Sequence, residues 1–182
     1  METLIVFGIL TVPIAIVSWQ TIVNVKSHGF YRFFSWECIA WLMASNFRYW
    51  FHEPFSTLQL VSWILLLLSI YLVVAGAVRL KKAGKPADNR SGKELYKFEK
   101  TSKLVDTGIY KYIRHPLYSS LLFLTWGIFF KNITLPLLVV SLLSTLFLFL
   151  TAIYDEKECI QYFGLKYIEY MKRSNRFIPY IV

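Results

Sequence analysis

The lengths of the apolar runs constrain this chain more than any other feature of its sequence. A helix needs about 20 residues to cross the hydrocarbon core of a bilayer. Three uncharged runs reach that length, at residues 4–23, 58–78 and 133–154. Hydrophobic residues make up 56% of the 182 positions, and a soluble domain of this size has too little interior to bury them. The sequence therefore predicts an all-α integral membrane protein.

Two further segments are apolar but less complete. Residues 33–50 carry Glu37 near one end and Arg48 near the other, and residues 117–130 give only about 21 Å of helix. We expect about five transmembrane helices, with four helices and a re-entrant pair as the alternative. Residues 1–78 would hold three helices. Residues 79–182 would add a cytosolic loop, a transmembrane hairpin and a C-terminal segment within the same single domain.

The positive charges predict the orientation in the membrane. With five spans and the amino end outside, all but Arg48 and Lys131 of the 20 Lys and Arg residues lie on the cytosolic side, as the positive-inside rule requires. Basic loops against anionic headgroups account for the net charge of +9. We therefore expect membrane lipids as partners and no nucleic acid. The membrane would be the plasma membrane in a prokaryote and the endoplasmic reticulum in a eukaryote.

Two polar segments flank the last apolar hairpin. Residues 104–118 precede the fourth span, and the doublet Asp155-Glu156 follows the fifth. Ionisable groups at a membrane edge usually serve a function, so the pattern predicts a pocket at the cytosolic surface. The alternatives are that Arg114-His115 only reaches the headgroups and that the doublet only complements a helix dipole.

The region after residue 154 predicts a C-terminal amphipathic helix. Between Asp155 and Arg173, apolar residues recur at steps of three and four positions. Such a helix would lie at the interface and cover the cytosolic opening. In the loop from Lys81 to Thr107, we expect residues 93–103 to form a short helix or a lid.

Metal and redox chemistry find no support in the sequence. The chain has no H-E-x-x-H motif and no closely spaced pair of cysteines. Its two cysteines, Cys38 and Cys159, suggest neither a disulfide framework nor a redox pair. We therefore expect no metal.

The two polar segments together resemble the isoprenylcysteine carboxyl methyltransferase and phospholipid methyltransferase family, and most closely its small prokaryotic members. The resemblance covers about residues 100–181. It rests on Gly108, Tyr110, Arg114-His115-Pro116 and Tyr118, then on Asp155-Glu156, Cys159, Phe163-Gly164, Tyr167 and Tyr170, and finally on Arg176-Phe177-Ile178-Pro179. It implies a helical membrane fold and S-adenosyl-L-methionine as methyl donor, bound at the cytosolic end and released as S-adenosyl-L-homocysteine.

The resemblance also implies a set of donor-binding residues. Gly108 would permit a turn with positive φ. Pro116 has no backbone N–H and would stand in the first turn of a helix, where the N–H groups make no intrahelical hydrogen bond. Apolar and aromatic groups would contact the adenine, and a carboxylate would bind the ribose or the amino group of the donor. The full set is Lys103, Leu104, Val105, Gly108, Tyr110, His115, Pro116, Leu117, Tyr118, Asp155 and Glu156.

The residues expected to act in catalysis are Arg114, His115 and Arg173. Methyl transfer from a sulfonium is an in-line displacement, so the protein mainly aligns the reacting atoms. A carboxylate acceptor is already ionised near neutral pH and would need an arginine to hold it. Animal members have an arginine four residues before the acid pair, where this chain has Thr151. Arg173 and Arg176 are the candidates to replace it.

The resemblance favours an isoprenylcysteine carboxylate as acceptor, entering from the bilayer. The alternatives are methylation of a phospholipid amine, which needs His115 or Glu156 as base, and a membrane subunit without enzymatic activity. A reductase of lipid double bonds is a third possibility, because it shares a related membrane fold.

Overall fold

The computed structural model describes residues 1–84 and 101–179, and all of its regular structure is helical. Six α-helices follow one another, with a 3₁₀ turn after α2 (Phe47–Tyr49) and another before α4 (Gly108–Lys111). The helices are α1 (Glu2–Ile22), α2 (His28–Asn46), α3 (Thr57–Ala83), α4 (Pro116–Phe129), α5 (Leu135–Phe163) and α6 (Leu165–Lys172). The described residues contain no named strand, and two stretches meet at one isolated β-bridge.

Three helices, α1, α3 and α5, are long and apolar enough to cross a membrane. They correspond to the three uncharged runs of the sequence. The fourth predicted segment forms α2, and the fifth forms α4, which has 14 residues. The helical class is therefore confirmed, whereas the number of five spans and the orientation stay predictions. The loop segment expected as a helix or lid falls mostly outside the described residues.

The helices pack in neighbouring pairs. Helix α3 lies against α4, α2 against α5 and α1 against α2, while α4 also contacts α5. Small residues bring α3 and α4 together: a Cβ atom at Gly76 would lie 3.1 Å from Pro116 Cγ, and one at Gly127 would lie 2.9 Å from Leu66 Cδ2. Close approach at small residues is the usual way in which helices associate in lipid.

Hydroxyl groups connect the three helices α2, α4 and α5 inside the bundle. The Ser144 hydroxyl lies 3.1 Å from the Ser35 hydroxyl and 3.1 Å from the Thr125 hydroxyl. All three side chains are buried. Hydrogen bonds of this kind hold helices together where lipid tails provide little hydrophobic driving force.

The predicted boundary of the C-terminal amphipathic helix is wrong. Helix α5 does not end at Tyr154 but continues for nine more residues to Phe163, because helical hydrogen bonds continue as readily in polar sequence as in apolar sequence. Gly164 then ends it with φ +62° and ψ −139°, a conformation that residues with a side chain rarely adopt. The amphipathic segment is thus divided between the end of α5 and the short α6.

Candidate active site

The segment before α4 is fixed by a turn on one side and by α3 on the other. Gly108 has φ +67°, as the sequence predicted, and a Cβ atom there would meet the Arg79 side chain at 3.2 Å. Arg79 in turn donates to the Thr107 hydroxyl through two nitrogen atoms, at 3.1 and 2.5 Å. Pro116 occupies the first turn of α4, also as predicted. His115 is therefore held at the entrance to α4.

The C-terminal segment pairs with this entrance. The Arg114 and His115 backbone N–H groups donate to the carbonyl oxygens of Asn175 (2.8 Å) and Arg176 (3.2 Å). One turn into α4, the Ser119 hydroxyl donates to the Phe177 carbonyl at 2.8 Å. These bonds join two polar motifs that lie about sixty residues apart in the sequence.

The imidazole of His115 lies between the two carboxylates of the acidic doublet. Its Nδ1 is 3.4 Å from Asp155 Oδ2, and its Nε2 is 3.3 Å from Glu156 Oε1. Burial opposes the charged imidazolium, but the bonds to Asp155 and Glu156 outweigh burial and raise the pKa of His115. The Tyr118 ring stacks on the imidazole with centroids 5.3 Å apart.

Glu156 also binds two arginines. Arg176 donates to it from Nε (3.0 Å) and Nη2 (2.7 Å), and Arg114 donates from Nε at 3.0 Å. Glu156 is 4% exposed, so it is a buried carboxylate whose charge is balanced by two guanidinium groups and His115. We call His115, Asp155, Glu156, Arg114 and Arg176 the polar cluster.

A cavity of about 660 Å³, measured with its opening, lies beside the polar cluster. Its wall is mostly apolar and aromatic, with a carboxylate and an imidazole at one side. The lining residues are Leu80, Thr101, Leu104, Val105, Tyr110, Arg114, His115, Pro116, Leu117, Tyr118, Asp155, Cys159, Phe163, Tyr167 and Tyr170.

Two tyrosines of α6 form part of the aromatic wall. Tyr170 donates its hydroxyl to the Tyr110 carbonyl at 2.6 Å, and its ring packs edge-on against the Tyr167 ring. Burial raises the pKa of both Tyr167 and Tyr170. Both phenols therefore stay protonated at physiological pH and provide hydroxyl groups and ring faces, not bases.

Comparison with known proteins identifies the family of this chain. The sequence model described as phospholipid methyltransferase matches residues 57–164, more than half of the chain. The chain belongs to the phospholipid methyltransferase family. The match extends from the start of α3 to the end of α5 and so includes His115, Asp155 and Glu156.

The chain is also similar to a protein that is named for its activity. The methanethiol S-methyltransferase of Pseudomonas deceptionensis is 27% identical over 131 residues. The alignment covers 68% of this chain but only 44% of that enzyme, so the chain spans less than half of its relative's length. No solved structure gives a significant match.

The structure places most of the predicted donor-binding residues in the cavity wall. Three of them lie elsewhere: Lys103 donates its backbone N–H to the Gly84 carbonyl, Gly108 packs on Arg79, and Glu156 lies behind His115. The residues that do line the cavity are Leu104, Val105, Tyr110, His115, Pro116, Leu117, Tyr118 and Asp155. Their roles in binding stay predictions.

The two predicted catalytic arginines have different surroundings. Arg114 lines the cavity, and besides Glu156 it donates to the carbonyl oxygens of Met171 and Ser174, so it ties the C-terminal segment to α5. Arg173 lies at the surface, where it forms an ion pair with Asp106. Thr151 is buried and donates its hydroxyl to the Phe147 carbonyl at 2.7 Å.

Several lining residues were not among the predicted site residues. Cys159, Phe163, Tyr167 and Tyr170 belong to the apolar repeat between Asp155 and Arg173, which predicts one face of an amphipathic helix and gives no sign of a binding role. Leu80 and Thr101 had no signal in the sequence, because nothing in a single sequence indicates which end of α3 or of the loop faces the cavity.

A second histidine, His28 of α2, lies near the polar cluster. His28 is buried, and its Nδ1 lies 2.7 Å from Glu158 Oε2, while its backbone N–H donates to Glu158 Oε1 at 3.0 Å. One ligand-type atom from each of His28, Asp155 and Glu158 lies within 4.8 Å of the others. Because His28 already engages both oxygens of Glu158, hydrogen bonds account for this contact. The predicted absence of a metal stays a prediction.

Proposed function

We propose that this protein is an integral membrane methyltransferase that uses S-adenosyl-L-methionine and methylates a lipophilic acceptor at the cytosolic surface. The observation that carries the proposal is that His115 and Asp155, from two separate motifs, line one cavity with an aromatic wall. A subunit without enzymatic activity has no need for this convergence. In the predicted topology, most of the basic residues lie on the same side of the membrane as the cavity, which supports the cytosolic placement.

The residues present suit the donor. The rings of Tyr110, Phe163 and Tyr167 offer flat apolar surfaces for adenine, and Asp155 offers a carboxylate for the ribose hydroxyls or the amino group. When bound, the donor would supply a methyl group on a positively charged sulfur. The protein itself holds the charges of its wall in place: Asp155 is fixed by His115 and by a hydrogen bond from Tyr118.

Binding of the donor tests the proposal directly. We would measure the affinity of the detergent-solubilised protein for S-adenosyl-L-methionine by isothermal titration calorimetry, beside Asp155→Asn and the control Glu169→Gln. Glu169 is exposed on α6, away from the cavity lining. We expect binding by the wild type and the control, and a clear loss in Asp155→Asn. A wild type with no affinity for the donor would overturn the proposal and favour a non-enzymatic subunit.

For the acceptor, we propose the carboxylate of an isoprenylcysteine, held by Arg176. Two hydrogen bonds to Glu156 orient this guanidinium, which lies 4.8 Å above the Phe149 ring. The Arg176 side chain is 21% exposed, and Phe149 lies on the outward face of α5. A partly exposed arginine beside an apolar surface suits an acceptor with an anionic end and a lipid tail. Arg176 thus offers the charge that is missing at Thr151.

The relative from Pseudomonas deceptionensis supports a second candidate, a thiol acceptor. A thiol, like the amine of a phospholipid, must lose a proton before it reacts. His115 lines the cavity and accepts a proton only when it is neutral, above its raised pKa. The rate with a thiol or an amine should therefore rise with pH through that value. The rate with a carboxylate, which is ionised throughout, should not depend on a base.

Labelled donor and a panel of three acceptors would distinguish these possibilities. The panel contains an S-farnesyl cysteine derivative, phosphatidylethanolamine and a long-chain alkyl thiol, each assayed between pH 6 and 9. We expect the farnesyl cysteine to be methylated at a rate that depends little on pH. Arg176→Lys should raise its KM, because a single ammonium replaces the planar fork. Methylation of the thiol alone would contradict the carboxylate proposal while leaving the methyltransferase proposal intact.

A further inference from the structure

The buried ring of His28 lies outside the residues that the family model matches, yet it reaches the polar end of α5. The contact between His28 and Glu158 joins positions 130 residues apart. His28 begins α2, and Glu158 accepts from both its backbone N–H and its ring. The start of α2 is therefore fixed to the polar end of α5 by a carboxylate that does not line the cavity.

The same ring faces the carboxylate that does line the cavity. Asp155 lies one helical turn before Glu158, so the two carboxylates project from neighbouring positions on α5. One ligand-type atom of His28 lies within 4.8 Å of an Asp155 oxygen, and the two groups attract each other. Asp155 also contacts His115. The carboxylate in the cavity wall thus lies 3.4 Å from one imidazole and within 4.8 Å of another.

We propose that His28 is a positioning residue of the active site: bonded to Glu158 and within 4.8 Å of Asp155, it stabilises the Asp155 carboxylate by its charge from the side of α2, without a hydrogen bond to it. The inference rests on the proposed function. It extends the site into the N-terminal third of the chain, where the sequence offers only hydrophobicity. His28 is completely buried, and within the described residues its Nε2 has no hydrogen-bond partner.

The charges around the two rings determine what removal of His28 should do. The charged groups that face His28 in the described residues are Asp155 and Glu158 from α5 and Arg32 from α2. His115 faces Asp155 and Glu156, and Arg114 and Arg176 bind the far side of Glu156. Two carboxylates favour the imidazolium form of His28. Without that positive charge, Asp155 would act on His115 alone and keep it protonated to a higher pH.

The test uses His28→Gln, which retains a polar side chain, and compares it with His52→Gln. His52 is exposed at the other end of the bundle. S-adenosyl-L-homocysteine is titrated calorimetrically into each full-length protein in detergent, from pH 5.5 to 9. We expect His28→Gln to bind about 5- to 10-fold more weakly near neutral pH, because the Asp155 carboxylate loses a nearby positive charge. The midpoint of its pH dependence should move upward by about half a unit or more. His52→Gln should match the wild type.

Glu158→Gln provides the conservative comparison. It retains one acceptor oxygen for His28 but loses the negative charge, so its affinity should fall between those of the wild type and His28→Gln. An equal loss at every pH, with an unmoved midpoint, would make His28 a packing residue and overturn the inference. Wild-type affinity in His28→Gln would do the same. A wild type that binds no product would instead overturn the proposed function, and this inference with it.

Discussion

The two ends of helix α4 both bury charge, but they balance it in different ways. At its start lies the polar cluster, where His115 and two arginines meet two carboxylates. At its other end, about 21 Å away by helical rise, lies Lys131, which is 5% exposed. Its ammonium donates to Gln59 Oε1 at 2.9 Å and lies 3.4 Å from the centre of the Trp63 ring and 5.3 Å from that of Trp50. We call these four residues the aromatic cluster.

The difference shows what distinguishes a site from a structural contact. In the aromatic cluster, one cation is held by an amide oxygen and ring faces, which is sufficient to bury a single charge. Burial lowers the pKa of Lys131, because it disfavours the charged ammonium and no acidic group among the described residues compensates for it. The polar cluster instead combines several opposite charges beside an open cavity. Opposite charges keep one another ionised, which suits a site that must bind a polar ligand.

The largest effect should follow from removing the central carboxylate of the polar cluster. Glu156→Leu would leave Arg114 and His115, which are almost fully buried, and the partly exposed Arg176 without their shared partner. We expect a loss of about 3–5 kcal/mol in the free energy of unfolding, measured by thermal denaturation in detergent. Glu169→Gln is the control, because Glu169 is exposed on α6. A Glu156→Leu protein as stable as the control would show that the polar cluster tolerates the loss of a charge as well as the aromatic cluster is expected to.

The second effect concerns binding. His115→Ala removes the group that fixes Asp155 and contributes a ring to the cavity wall, so we expect donor affinity to fall about 10- to 100-fold. The control His52→Ala should bind normally. Retention of full affinity in His115→Ala, with intact helical circular dichroism, would separate the polar cluster from donor binding.

A smaller effect should appear in the pH dependence of stability. The pKa of His115 is raised in the folded protein, so its contribution is complete below about pH 6.5. It is then lost as the pH rises through the raised value. The wild type should lose stability relative to His115→Gln across that interval. Parallel stability curves for the two proteins from pH 5 to 9 would contradict the contacts seen around this ring.

The smallest effect is expected in the aromatic cluster. Lys131→Met keeps the length of the side chain and removes the charge, and such replacements of buried ions are often neutral or stabilising. We expect stability to change by less than about 1 kcal/mol and donor affinity to change by less than about twofold. A large loss of affinity in Lys131→Met would mean that the far end of α4 communicates with the cavity.

Much of the fold follows from local properties of the sequence. The apolar runs predicted the helices, Gly108 predicted a left-handed turn, and Pro116 predicted the first turn of α4. The helix boundary near residue 154 was missed because hydropathy reports the surroundings of a helix, not where its hydrogen bonds stop. The site is less predictable, since its contacts join distant segments. Neither the pairing of Arg114 with Asn175 nor the approach of His28 to α5 leaves a trace in the spacing of residues.

The reversal at Gly164 has a consequence for how the cavity is completed. The backbone torsions of this one residue direct α6 away from the axis of α5 and so determine where the rings of Tyr167 and Tyr170 lie. A residue with a side chain would favour other torsions, and the last turn of α5 would then tend to continue straight. The hydroxyl of Tyr170 would be carried away from the Tyr110 carbonyl. One wall of the cavity therefore depends on the backbone conformation of a single glycine.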